Sequence, residues 1–169
     1  MKYLRLFAVA IVFASFAGCS GSDNSKTEPG ADAKDGDAEK VIPGIAASDI
    51  HINYTNKGFT LDKNIGADAS TWICHSAENG KDYTVKIFGK TPSKIDRVDA
   101  TVMFDKADDE ARQFIGYSAS IPYTGSNGPA ATAWAISRFD KGGDTTIGNV
   151  KFYLVAAREG ARVLKLNAH

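Results

Sequence analysis

The dipeptide Asn79-Gly80 constrains the fold more than any other local feature. A two-residue type I′ hairpin turn needs φ > 0 at both central positions, and Asn-Gly is the pair that tolerates it best. If the turn sits there, Glu78 faces Lys81, Ser76 faces Tyr83, Cys74 faces Val85 and Trp72 faces Ile87. Side chains alternate across a strand, so the last six share one side of a sheet, and its apolar character turns it toward a core. His75, opposite Thr84, points the other way. A following strand over Arg97–Phe104 keeps Val98, Ala100, Val102 and Phe104 in phase. Ile95 falls out of that phase, which predicts a bulge or a later strand start.

Helical signals flank this hairpin. From Ser48 to Lys57, with Ser48 as N-cap and Gly58 just past the end, Ile50 and Tyr54 fall four apart on one helical face. A strand over the same stretch would alternate Ile50, Ile52 and Tyr54, and helix is the favoured reading of the two. In Ala107–Ala119 the residues Ala107, Ala111, Phe114, Ile115 and Ser118 mark a face, with Asp108, Asp109 and Glu110 in the first turn. Pro129–Asp140 has proline in its first turn and stops at Gly142-Gly143, with Thr132, Ala135, Ile136 and Phe139 at helical spacing. A second hairpin, Val150–Ala157 with Ala161–Leu166, turns at Glu159-Gly160. Strands, then helices, then strands predict an α+β domain, an antiparallel sheet with about three helices packed on one face. The domain is expected to occupy residues 42–169.

The first forty residues are of a different kind. Met1–Arg5 is short and basic, Leu6–Phe16 is an eleven-residue apolar run, and Ala17-Gly18 places small residues before Cys19. A basic, apolar, small-residue order is that of a secretory signal peptide. Eleven residues rise only about 16 Å as a helix against a hydrocarbon core of about 30 Å, too short to span. Phe16-Ala17-Gly18-Cys19 resembles the lipobox of bacterial lipoproteins, with phenylalanine where leucine is commoner. The resemblance covers these four residues and the apolar run before them. It implies that residues 1–18 are removed, that Cys19 receives a diacylglycerol thioether, and that the new amine is acylated with a fatty acid such as palmitate. Several acyl chains on one residue anchor stably where one is marginal. Residues 20–40 contain no aromatic and no branched aliphatic residue and carry six acids against three bases. Such a stretch cannot offset the entropy of ordering, so residues 19–41 are expected to be a disordered tether holding the domain roughly 25 Å from the bilayer. Ser20 is not the aspartate that the resemblance associates with inner-membrane retention, which implies an outer-membrane, periplasm-facing location.

Composition argues against other classes. From Val41 onward fifteen bases meet fourteen acids, with no basic stripe and no nucleic-acid-binding motif, so no nucleic-acid partner is expected. With only two cysteines, and Cys19 acylated, Cys74 has no disulfide partner within the mature chain. Cys74-His75 is the one adjacent pair suggestive of a nucleophile and its base, yet the hairpin sends the two side chains to opposite faces. Cys74 therefore reads as a small buried hydrophobe. His51 and His169 lie far from it and from each other, without zinc-ligand spacing, and the acids from Asp105 to Glu110 lack the pattern of a calcium loop. No metal and no cofactor is expected. The segment between the two later helices gathers Tyr117, Tyr123, Ser126 and Asn127. It reads either as a recognition loop or as a plain connector whose Ser, Asn and Gly serve capping.

The expected function is accordingly a non-enzymatic envelope module, held to a membrane through acylated Cys19, that presents a small α+β domain to a protein partner. An assembly accessory factor or an immunity lipoprotein against a periplasm-acting toxin would be of this kind. The alternative is a small ligand-binding or hydrolytic envelope protein, which needs convergent polar groups in a pocket.

Overall fold

Asn79 and Gly80 take φ values of 53° and 72°, so the turn forms where the chain allows it at least cost. A computed structural model describes residues 40–156 and 160–169. The expected signal peptide, Cys19, the expected tether up to residue 39, and Glu159 of the expected second hairpin turn lie outside the described residues.

The elements run α1 (Ala47–Thr55), β1 (Thr60–Ile65), β2 (Ser70–Glu78), β3 (Lys81–Thr91), β4 (Lys94–Phe104), α2 (Asp109–Ala119), α3 (Gly128–Arg138), β5 (Gly143–Ile147), β6 (Val150–Val155) and β7 (Ala161–Ala168). The fold is α+β, with one open antiparallel sheet of seven strands in the order β1-β2-β3-β4-β7-β6-β5. Between β2 and β3 the register pairs Glu78 with Lys81, Ser76 with Tyr83, Cys74 with Val85 and Trp72 with Ile87, as the turn dictates. Alternation then buries Trp72, Cys74, Tyr83, Val85 and Ile87 while His75 is exposed. In β4 the register shifts opposite Gly89, and the bulge returns Ile95 to the buried set with Val98, Ala100 and Val102. The last strand pairs with β4 at the middle of the sheet, setting Leu164 opposite Ala100 and Leu166 opposite Val98.

Burial decides the ambiguous first segment. Ile50 and Tyr54 are 0% and 1% exposed while Ile52 is 52% exposed, which is a helical face and not a strand alternation. The helix begins two residues earlier than its sequence suggests, with Ala46 instead of Ser48 at the N-cap. Ser48 lies inside it, exposed, and the Asp49 carboxylate accepts the Ala46 N–H at 2.8 Å in place of a serine cap. Two caps supply the other helix starts. Asp108 accepts from the Ala111 N–H at 3.0 Å, so α2 begins after Ala107 instead of at it, and Asn127 accepts from the Ala130 N–H at 3.1 Å. The buried face of α3 also differs from the expected one. Ala131, Ala135 and Phe139 face inward, and Ile136 is 41% exposed. The reason is the neighbouring helix: a Cβ on Gly116 would lie 3.1 Å from Ile136, and Thr132 donates to the Gly116 carbonyl at 3.1 Å. That close approach sets Thr132 and Ile136 against α2 at Gly116, off the fully buried line of Ala131, Ala135 and Phe139. Among the described residues no helix is long and apolar enough to cross a membrane.

Candidate functional site

At the end of the sheet near the β2–β3 turn, five aromatic rings meet. Gly58, at φ 88°, closes α1 and sends the chain back so that the Phe59 N–H donates to the Tyr54 carbonyl at 3.2 Å. Phe59 thereby lies edge-on to Tyr54, 5.4 Å between centroids, and parallel to Phe114 of α2 at 6.2 Å. Tyr117, three residues along α2 and so on the same side, meets Tyr54 at 5.6 Å, and Tyr83 of β3 meets Phe114 at 4.9 Å. Such edge and offset arrangements suit the ring quadrupoles.

Four of these rings, Phe59, Tyr83, Phe114 and Tyr117, wall an open pocket of about 370 Å³. Its rim carries Lys57, Glu78 and Glu110, with Ser76 and Gln113 between them. Lys81 fixes one side. Its ammonium is only 7% exposed and lies 2.8 Å from both Asp108 Oδ2 and Glu110 Oε2, tying the first turn of α2 to the hairpin. These hydrogen bonds hold the carboxyls of Asp108 and Glu110 below the usual carboxylate range. Glu110 is therefore ionised at neutral pH. Burial, and then the nearby Glu110 charge, push the Tyr83 phenol up to about 12, and burial raises Tyr117 as well. Both phenols stay neutral. The Tyr83 hydroxyl is buried beside the Glu110 carboxylate, and the Lys57 ammonium stands 4.6 Å above the centre of the Tyr117 ring.

The four residues of the suspected loop do not gather at one place. Tyr117 walls the pocket, its hydroxyl 3.4 Å from the Asn53 carbonyl. Tyr123 is buried and donates to the Ile147 carbonyl at 2.6 Å. The Asn127 carboxamide caps α3, and the Ser126 N–H closes a turn onto the Tyr123 carbonyl at 2.9 Å. Cys74 is fully buried, and burial pushes its thiol up to about 11, while His75 on the other side of β2 lies 3.1 Å from Asp62 Oδ2. The thiol and the imidazole do not meet. Among the described residues no three His, Cys, Asp or Glu side chains converge as a metal site would require.

Lys57, Phe59, Glu78, Tyr83, Glu110 and Phe114 carry no motif at readable spacing. They come from the end of α1, both strands of a hairpin and one helix, and only the hairpin register and the α2 face hint that Tyr83 and Phe114 point inward. No protein-family model, no characterised protein and no solved structure matches the chain.

Proposed function

We propose that this chain is the precursor of a lipid-anchored bacterial envelope protein, cut before Cys19, whose mature domain is a non-enzymatic protein-binding module. The anchor rests on the order of basic start, apolar run and Phe16-Ala17-Gly18-Cys19, followed by residues too polar to pack. Ser20 after the cysteine favours the outer membrane, facing the periplasm.

The observation that carries the binding role is the aromatic pocket with its charged rim. Aromatic walls with a few placed polar groups are what recognition sites use. Three of the groups around it hold one protonation state at neutral pH: Glu110 is ionised and held by Lys81, and Tyr83 and Tyr117 are neutral. A general acid or base is poised near the working pH instead, which speaks against these three as catalytic groups. In the same reading the three helices cover one face of the sheet. Alternate residues of β2, β3 and β4 are buried, α1 packs on β1 and β2, and α2 packs on β4 and β7. The same pocket also favours a second reading, a small-ligand-binding lipoprotein, since a volume of about 370 Å³ suits one small molecule or one side chain.

Two measurements test the proposal. Cys19→Ser should abolish labelling by an alkyne fatty acid and release the protein from the membrane pellet; unchanged pelleting and labelling refute the anchor. A photo-crosslinker replacing Gln113 at the pocket rim should trap a discrete protein adduct in intact cells, and one replacing Lys141 should not. Equal adducts at both positions, or none at Gln113, refute the module.

A further inference from the structure

We infer that the pocket walled by Phe59, Tyr83, Phe114 and Tyr117 receives an organic cation, an alkylammonium or guanidinium group, and that Lys57 stands in for it in the free protein. The inference rests on the domain being a binding module and names the chemistry of what it binds.

Three observations point the same way. Ring faces carry negative electrostatic potential and attract cations within about 6 Å of the centroid. Here one ring face already holds a cation, because the Lys57 ammonium lies 4.6 Å above Tyr117. That lysine is exposed and follows the end of α1 on a short turn, so it can swing away without disturbing a packed element. The second observation is the sign of the rim. Apart from Lys57 the charged groups lining it are the carboxylates Glu78 and Glu110, and the Lys81 ammonium behind Glu110 is shared with a further carboxylate, Asp108. An anionic ligand would face these carboxylates and the negative faces of the rings together. The third is the neutrality of the walls. Tyr83 and Tyr117 keep their protons, so they offer apolar, polarisable surface without adding a charge that water must solvate. A partly dry aromatic wall strengthens the attraction of a cation over that at an open surface. The free volume accommodates a trimethylammonium head, a lysine side chain or an arginine side chain.

Lys57 makes the idea testable in a way that a merely greasy pocket would not satisfy. As an internal competitor it weakens an incoming cation, so removing it should tighten binding, whereas removing a carboxylate should loosen it. The full chain in detergent micelles is titrated with choline and with 3,3-dimethylbutan-1-ol, a neutral molecule of nearly the same shape, while the aromatic proton resonances are followed. Choline is expected to shift the rings of Phe59, Phe114 and Tyr117 and to bind about tenfold more tightly than the neutral isostere. Lys57→Ala should strengthen choline binding about threefold or more, and Glu78→Gln should weaken it by a similar factor. Two further probes separate the sources of such a group. A tri-lysine peptide binding about tenfold more tightly than Nα-acetyl-lysine amide identifies a protein chain as the donor, and equal binding identifies a free amine.

Equal affinity for choline and its neutral isostere overturns the inference. So does weaker choline binding in Lys57→Ala, or no ring shift up to about 10 mM choline. Failure here is distinguishable from failure of the module itself. A crosslink at Gln113 that persists in Glu78→Gln and Lys57→Ala, with no amine bound, removes the cation and keeps the partner.

Discussion

The hydrogen bond between Tyr54 and Ser118 offers a stringent test of how the helices are joined. The Tyr54 hydroxyl donates to Ser118 Oγ at 2.9 Å across 64 residues of sequence, with the two residues 1% and 0% exposed. Tyr54→Phe removes the donor and keeps the edge contacts to Phe59, Phe114 and Tyr117. Ser118 can then turn its hydroxyl toward its own helix backbone, so the loss should be only about 0.5–1.5 kcal/mol. Ser118→Ala is worse, because it leaves a buried phenol hydroxyl with no acceptor, at about 1–3 kcal/mol. In the double variant neither polar group remains to be stranded, and its cost should not exceed that of the worse single change. The coupling between the two sites is thus about 1–2 kcal/mol, against the 0.3–0.5 kcal/mol or so within which independent sites add. Urea unfolding at pH 7 of the Cys19→Ser chain and its three derivatives, followed by tryptophan emission, measures all four corners; Trp72 is buried and reports loss of the core. The m-values must agree for the comparison to hold. Additivity within about 0.5 kcal/mol, or a Ser118→Ala variant as stable as its parent, would falsify this account of the joint.

Two glycines at matching positive φ should respond differently to the same methyl group. Gly80 is at φ 72° with open space around the missing Cβ, whereas at Gly142, φ 70°, a Cβ would lie 2.7 Å from the Leu154 carbonyl oxygen. Gly80→Ala should cost about 1–2 kcal/mol from backbone conformation alone and Gly142→Ala clearly more; equal melting temperatures contradict this. Alkaline pH should destabilise the fold. Folded-state values are raised for Cys74 and for Tyr54, Tyr83, Tyr117 and Tyr123. Their contribution is therefore complete below the ordinary values of 9.0 and 10.0 and is lost as pH climbs through the raised ones. Asp108 and Glu110 act in the opposite direction, contributing above the ordinary 3.8 and 4.5 and losing that contribution as pH falls through their lowered values. A urea midpoint that does not change between pH 9 and pH 11 rules out the alkaline limb. Cys74 should resist iodoacetamide at pH 8 in the native protein and react at once in urea, since its thiol is buried and held up to about 11. Rapid native labelling, read by mass, contradicts that.

The parts of this fold that the chain advertises are those whose cause is local. Asn79-Gly80 sets a register that runs unbroken from Glu78 and Lys81 to Trp72 and Ile87, because a two-residue turn leaves no slack. The acids and caps before α2 and α3 likewise act within one turn of the residues they stabilise. The edge strands were invisible for the converse reason. Among Thr60–Ile65 only Leu61 is even half-buried, and Gly143–Ile147 has no fully buried residue, so neither shows an apolar alternation. Their strand conformation comes from pairing with β2 and β6. The exposure of Ile136 follows from the flank of a different helix, at Gly116, and no pattern within α3 encodes it. The aromatic pocket is the extreme case. Phe59, Tyr83 and Phe114 are separated by whole elements, and their meeting depends on the hairpin, the bend after α1 and the Lys81 clamp together. In sequence Tyr117 reads as a loop residue beside Tyr123, but α2 carries it to the pocket.

The placement of β7 between β4 and β6 has a consequence for synthesis. A chain delivered from its N-terminus forms the β1–β4 meander first, and that half-sheet ends in an eleven-residue strand with one side open. Only the strand formed last can close it. Until then β4 is a template for mispairing with neighbouring chains, so the domain passes its most vulnerable moment just before it is finished. Losing the eight residues of β7 would not trim an edge; it would split the sheet in two.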